Sequence, residues 1–484
     1  MSIATKASHL SATEFPTKTV VVLGGSYGGS RAAHLLAEGI PQGWRVVLVD
    51  RNSYAVLAGH EHKAFIPYNI NNITSSSLSD LPSCTSHVRV QATITSIGDH
   101  RITLSPNLPG SQESDLDLEY DYAVYALGSH LPQPIDLWNH QKGVKSSLQP
   151  SAISTYGGTK SEGVSSLQER QKRVEAARSV LVVGGGALGI QFASDIAAIY
   201  PQKRVTLLHS RRRLLPKFDE AVHEEALQGL QELNVRVILG ERLDFESLQH
   251  KSATPASPEL RVVRTLSGQE ISADLLLLCT GQTPNTGLLR DMDPRAVSPD
   301  TGLARVLRTM QLCVPPPSEP HKYQADDVLH YLKKLSLDAE EGSESSSPPS
   351  PSSTHPDILS MSSSTETLTL YSNIFVVGDA ADAFDAIKAG HTSYYQAEVA
   401  ARNILRLISR NEKVGITAGD DLDSELEEYA HGPPAIKVTL GMTKSVYESN
   451  GVVGTKNDGV EDLGVAVMWA ACGMRDVSEE DMFA

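Results

Sequence analysis

TVVVLGGSYGG, residues 19–29, decides the fold. A β-branched run ends in a glycine turn, and a helical pattern follows at once in SYGGSRAAHLLAEG (26–39). The next apolar run, WRVVLVD (44–50), closes on Asp50. Strand, turn, helix and strand make a βαβ unit. Gly24, Gly25, Ser26, Gly28 and Gly29 carry its chemistry. Small residues let the backbone approach a pyrophosphate, and the helix N-terminus aims partial positive charge at it. Ser26 stands where the full pattern has glycine. Asp50 lies about twenty residues beyond, where an acid accepts hydrogen bonds from ribose hydroxyls. A glycine turn alone is a weak signal; in this context it reads as a dinucleotide site.

The plan recurs downstream. SVLVVGGGALGIQFASDIAAIY (179–200) and KRVTLLHS (203–210) form a second βαβ pattern around Gly184, Gly186 and Gly189, a full GxGxxG. Its ribose position falls at His209, followed by Ser210, Arg211, Arg212 and Arg213. No acid stands there to repel a 2′-phosphate, and guanidiniums can grip one. That favours NADPH, or use of both NADPH and NADH; a solvated basic turn is the other reading. Two apolar strands end in glycine: YDYAVYALGS (120–129) at Gly128 and DLLLLCTG (274–281) at Gly281. A third, IFVV (374–377), runs into Gly378 and Asp379 and then a helical pattern with Lys388 at its entry. Two copies of one plan predict an α/β chain with two Rossmann-like domains.

Composition narrows the class. Net charge is −16 from 42 basic and 58 acidic residues, against nucleic acid or an anionic membrane as the main partner. The four cysteines, Cys84, Cys279, Cys313 and Cys472, form no closely spaced pair, which argues against a disulfide relay and a zinc site. His60, Glu61 and His62 lack the spacing of a metal site on one helical face, and no metal is expected. No stretch reads as a membrane span, so a cytoplasmic protein is expected, with membrane contact at most peripheral. Residues 314–366, rich in Ser and Pro, read as a disordered insertion.

In order, these motifs resemble a two-dinucleotide-binding-domain flavoprotein of the glutathione-reductase-like plan. Within it, GHEHKAFIPY (59–68), KRVTLLHSRRRLLPKFD (203–219), CTGQTPNT (279–286), AIKAGHTSYYQAEVAARNI (386–404) and GPPAIKVTLG (432–441) resemble the fungal branch of one group. That group is the apoptosis-inducing-factor-homologous, mitochondrion-associated-2 type, the ferroptosis-suppressor class of quinone reductases. The resemblance implies FAD on the first fingerprint, with Asp50 and Arg51 at the adenosine side and Asp379 on the ribityl chain. It implies NAD(P)H on the second and electron transfer to a quinone-like or other small acceptor. Lys388 is the candidate for the group beside the flavin ring. A protein that kept the fold but lost FAD is the alternative, because only RNSYAVLA (51–58) stands where the branch usually carries a longer segment. Gln191 replaces a common Glu, and residue 2 is not the glycine of the lipid-anchored animal members.

The expected division has the NAD(P) domain inserted in the FAD domain. An arm spans 1–17, the first FAD part 18–140, a crossing loop and helix 141–175, and the NAD(P)H domain 176–285. The second FAD part spans 286–313 and 367–412. A C-terminal segment, 413–484, forms a third piece that could shape the acceptor side.

Overall fold

The computed structural model describes residues 18–52, 54–56, 74–77, 87–106, 115–132, 158–249, 261–315, 371–413, 425–457 and 459. The arm, GHEHKAF, Cys84, Cys472, residues 316–366 and the last residues lie outside these, and so do most of the positions after Asp50.

The first sheet begins with β1 (Lys18–Leu23), β2 (Trp44–Asp50), β5 (His87–Ile97) and β8 (Tyr122–Tyr125), β3 (Tyr54–Val56) and β4 (Thr74–Ser77) forming a separate pair. Between β5 and β8 come β6 (Arg101–Pro106) and β7 (Leu116–Glu119). β1 runs parallel to both β2 and β8, and the start of β5 runs parallel to β2. The far half of β5 turns into an antiparallel meander with β6 and β7. Val20 to Leu23 and Ala123 to Tyr125 are fully buried. Such unbroken apolar runs mark parallel strands covered on both faces.

The chain leaves this sheet through β9 (Ser129–His130) and builds a second one. Helix α2 (Lys160–Ala176) follows helix α1 (Tyr27–Gly39) in chain order and starts on a capping box, Thr159 with Glu162. Strands β10 (Ser179–Val183), β11 (Arg204–His209) and β12 (Arg236–Leu239) pair in parallel. The hairpin β13 (Arg261–Arg264) and β14 (Glu270–Ala273) stands beside them, and β15 (Leu275–Leu278) joins β10. Helices α3 (Ala187–Ile199) and α4 (Glu220–Glu232) cover this sheet.

The chain then returns. β16 (Thr283–Pro284) pairs with β9, and α5 (Gly287–Met292) and β17 (Ala304–Arg305) lead to β18 (Gln311–Leu312). β18 pairs antiparallel with β19 (Tyr371–Val376), and β19 lies parallel to β8 in the first sheet. After β20 (Ala381–Asp382), helix α6 (Gly390–Lys413) packs along α1. One glycine-fingerprint sheet is therefore nested in the sequence of the other. Separate apolar cores correspond to them, a large one at the first sheet and one on each face of the nested sheet, the smaller of these under the β13–β14 hairpin.

The C-terminal segment is divided between those cores. Tyr429 belongs to the first, where Glu427 meets Arg402 and Asn403. Strands β21 (Ile436–Thr439), β22 (Lys444–Ser449) and β23 (Val452–Asn457) form an antiparallel sheet against α3 and α4. Val438, Leu440 and Val446 complete the second core. Residues 425–457 thus form no independent third piece. The apolar side of so small a sheet needs a neighbour to bury it, and α3, apolar around most of its surface, supplies one.

Candidate functional site

The two glycine turns are built alike. Gly24 closes β1 at φ +98°, and a Cβ there would stand 2.5 Å from the Ala126 carbonyl oxygen. Gly184 closes β10 at φ +122°, with the Cys279 carbonyl oxygen 2.1 Å from the corresponding point. Each neighbouring strand end presses on the turn, so only hydrogen fits. The helices that follow, α1 and α3, begin on Ser26 and Gly186. Neither has a side-chain cap, and neither carries an acid in its first turn. No side-chain acceptor or acid therefore competes with an anionic ligand at either helix N-terminus. A Cβ on Gly186 would meet nothing within 4 Å, so that side of the turn is open to an approaching group. These features fit the pyrophosphates of two dinucleotides.

Asp50 accepts from Gly25 N at 2.6 Å through Oδ2 and from Asn52 N at 2.8 Å through Oδ1. Burial pushes its carboxyl pKa up; the two backbone donors and the Arg51 guanidinium hold it back down. Each carboxylate oxygen has a second lone pair, so Asp50 can fix the turn and still accept from ribose hydroxyls. Arg51 also lends its carbonyl to the Gly158 backbone region, where a Cβ would come within 2.4 Å of it.

In the second unit His209 occupies the matching place. Gly185 N donates to His209 Nδ1 at 3.0 Å. Ser210, Arg211 and Arg212 are exposed, whereas Arg213 donates to the Pro216 and Phe218 carbonyls and holds its own loop. Of the basic run, then, Arg211 and Arg212 are the guanidiniums left for a ligand.

Both units converge on one crossing point. Asn285, just past β16, donates through Nδ2 to the Leu127 carbonyl at 2.9 Å, and its N–H donates to the Gly128 carbonyl at 2.9 Å. Its Oδ1 lies 2.7 Å from His130 Nδ1, and its carbonyl accepts from the fully buried Tyr125 hydroxyl at 2.6 Å. Gly128 and Gly281, the glycines ending the two sheets' strands, have open space where a side chain would be. Ser129 Oγ donates to Asp379 Oδ2 at 2.8 Å, so the first crossing strand also touches the Gly378–Asp379 turn. Gln396 Oε1 on α6 accepts from Gly378 N at 2.7 Å. Lys388 Nζ donates to the Ala381 carbonyl at 2.5 Å. Burial pushes its ammonium pKa down, Asp379 and Asp382 draw it back up, and Lys217 from the nested unit lowers it further. The turn of one sheet and a lysine of the other are thus close enough to feel each other.

Asn285, Ser129, His130 and Gln396 escaped the sequence reading as site residues. Asn285 stands inside CTGQTPNT, and its neighbourhood was the available signal; single polar residues on a helix such as Gln396 gave none. Gln191 is buried on α3. The described cysteines, Cys279 and Cys313, are free thiols whose pKa burial pushes up. Among the described residues no side-chain cluster could hold a metal and no helix is long and apolar enough to cross a membrane.

Residues 18–303 match the family described as pyridine nucleotide-disulphide oxidoreductase. The chain is 36% identical over 470 residues to Fe-regulated protein 8 of Mycosarcoma maydis, covering 94% of this chain and 95% of that protein. It is 31% identical over 284 residues to ferroptosis suppressor protein 1 of Taeniopygia guttata, covering 54% of this chain and 62% of that protein. In structure it is similar to the sulfide:quinone oxidoreductase of Aquifex aeolicus, with a TM-score of 0.59 at 15% identity, over 96% of this chain and 94% of that one. That last likeness concerns the fold alone. With a matched stretch that runs from the first fingerprint through the nested sheet to β16 and beyond, the chain belongs to the pyridine nucleotide-disulphide oxidoreductase family and is an FAD-dependent NAD(P)H oxidoreductase of the apoptosis-inducing-factor-like kind.

Proposed function

We propose that this oxidoreductase passes electrons from NAD(P)H to a quinone-like acceptor. The observation that carries the reading is the crossing point. There Asn285 ties the ends of both sheets together, and Asp379 and Lys388 stand beside it. FAD, when bound, supplies the redox chemistry, exchanging electrons in pairs with a nicotinamide and singly or in pairs with an acceptor. The chain's own part is to bind and orient. Uncapped α1 and α3 receive the pyrophosphates, Asp50 accepts from a ribose, and Asp379, steadied by Ser129, accepts from sugar-alcohol hydroxyls. Lys388, anchored on the Ala381 carbonyl beside Asp379, is placed to meet negative charge developing on a neighbouring ring.

Two things support a quinone over a disulfide as acceptor. The cysteine spacing offers no pair, and the two described thiols lie in different parts of the fold. Anaerobic reduction of the purified protein by NADH or NADPH, followed by addition of short-chain quinones, disulfides or oxygen, tests it. Fast reoxidation by quinone is expected. Turnover with a disulfide and none with quinones would reassign the acceptor, and a protein that binds no flavin would overturn the reading altogether.

A further inference from the structure

Lys388 follows a turn that its own residues do not favour. The chain leaves β20 through Ala383, Phe384, Asp385 and Ala386, and both Phe384 and Asp385 take left-handed backbone, at φ +55° and +63°. A Cβ crowds the backbone there, and two such residues in a row need support from outside the turn. Within it, Ala386 N donates to the Ala383 carbonyl at 3.1 Å, and Lys388 Nζ reaches back to the Ala381 carbonyl at 2.5 Å. A turn of another shape would carry the Lys388 ammonium elsewhere. The outside support is Arg308, in the turn between β17 and β18 that Met310 N closes on the Leu307 carbonyl. Its guanidinium carbon lies over the Phe384 ring, 4.6 Å from the centroid, a cation on an aromatic face. Arg308 is in turn held on both sides of its backbone and side chain by Tyr429. Tyr429 N donates to the Arg308 carbonyl at 2.7 Å, and Arg308 Nη1 donates to the Tyr429 carbonyl at 3.2 Å. Tyr429 is buried in the first core. Asn403 on α6 fixes both ends of this bridge, donating to the Thr309 and Glu427 carbonyls at 3.1 and 2.9 Å. Arg308 itself is exposed, so filling the core is not its part.

We propose that Arg308 is a positioning residue of this oxidoreductase: anchored on Tyr429, it clamps the left-handed Phe384–Asp385 turn and so fixes where Lys388 presents its charge. It acts through Lys388 and takes no part in electron transfer itself. The proposal rests on the reading that places Lys388 beside the flavin ring, and deepens it by naming what holds the lysine there.

The test uses the full chain loaded with FAD. Spectroelectrochemical titration reads the midpoint potential of the bound flavin, with no acceptor and no turnover. A cation beside the ring favours the form that has gained negative charge, so removing or displacing it lowers the potential. Lys388→Met gives the size of that effect. Arg308→Met is expected to lower the potential by about 30 mV, a tenfold loss in binding of reduced relative to oxidised flavin for a two-electron couple. Arg308→Lys keeps a cation that can sit over Phe384 and should restore most of the wild-type potential. The double variant Arg308→Met with Lys388→Met should fall no further than Lys388→Met alone, because residues that act as one unit are not additive. Should Arg308→Met lose its flavin or fail to fold, Phe384→Leu breaks the same contact while keeping apolar bulk, and the same fall is expected. A wild-type potential in Arg308→Met or in Phe384→Leu overturns the proposal. So does a double variant whose fall is the sum of the two single ones, or an Arg308→Lys protein as low as Arg308→Met. If Lys388→Met itself leaves the potential unchanged, Lys388 does not stand beside the ring, and the reading beneath the proposal falls with it, an outcome distinct from the others.

Discussion

A methyl group on Gly29 would lie 1.8 Å from the Gly24 carbonyl oxygen, and backbone cannot move aside as a flexible side chain can. Gly29→Ala is therefore expected to cost at least the 1–3 kcal/mol typical of overpacking, about one methyl in a space for none. Differential scanning calorimetry together with flavin content would show it; a variant with the wild-type midpoint and full flavin would mean that the turn opens freely. Asp379 is the second informative residue. It takes Ser129 Oγ on one oxygen and leaves the other for a ligand hydroxyl. Asp379→Ala should weaken FAD retention by about 1.5–3 kcal/mol, the worth of a hydrogen bond to a charged group. Equilibrium dialysis of flavin from variant and wild type measures the difference, and equal dissociation constants would remove Asp379 from the site.

Among elements, α6 does most to position the site, and its hold on the fold is partly ionic. Arg402 on α6 makes two hydrogen bonds to Glu427, at 2.8 and 2.7 Å, and Arg406 adds a third at 3.2 Å. Asn403, fully buried, bonds the Thr309 and Glu427 carbonyls. The Arg402 guanidinium holds the Glu427 carboxyl below its ordinary value. A carboxylate whose folded pKa is depressed stabilises the protein above its unfolded value, near 4.5, and that contribution is lost as pH falls through the lower folded value. Thermal midpoints measured down from pH 6 should therefore fall more steeply below about pH 4.5 in wild type than in Glu427→Gln. Parallel curves would show that solvent screens the pair, which is a third or more exposed on the arginine side. The crossing strands β9 and β16 form the other decisive element. Asn285→Ala removes the Leu127 and His130 bonds of the side chain, each worth about 0.5–1.5 kcal/mol. The expected result is slower flavin reduction by NADPH in stopped-flow with little change in flavin content. Unchanged reduction would mean that the β9–β16 pairing alone sets the alignment.

For the molecule as a whole, the long stretch between β18 and β19 asks what the fold needs. Leu312 and Tyr371 are partners in antiparallel register, so the two ends of that stretch meet in the first sheet. The insertion read over 314–366 begins too early, because Val314 is fully buried in the first core, so a short Gly/Ser bridge replaces residues 316–366. Loop closure entropy changes slowly with length, so the shortened chain should keep its thermal midpoint within a few degrees. It should also keep its rate of reduction by NADPH. A large loss of either would show that the removed residues pack on the described core.

Much of this was legible in the chain itself. TVVVLGGSYGG and VVGGGALGI announce their turns because a turn squeezed between strand ends tolerates only hydrogen or a very small side chain at set spacings. Asp50 and His209 could be picked out because a fixed number of residues separates each turn from the end of the next strand. Those are local constraints, carried by consecutive residues. The partners lay elsewhere. Nothing near position 285 says that its side chain reaches Leu127 and His130, more than 150 residues away, or that Ser129 meets Asp379 across 250. Nor does GPPAIKVTLG reveal that its strand lies on α3 rather than on a core of its own. Local spacing determines which turns and strands form; only the closing of two sheets on one another decides which distant polar groups become neighbours, because each buried donor must find an acceptor wherever the topology brings one within reach.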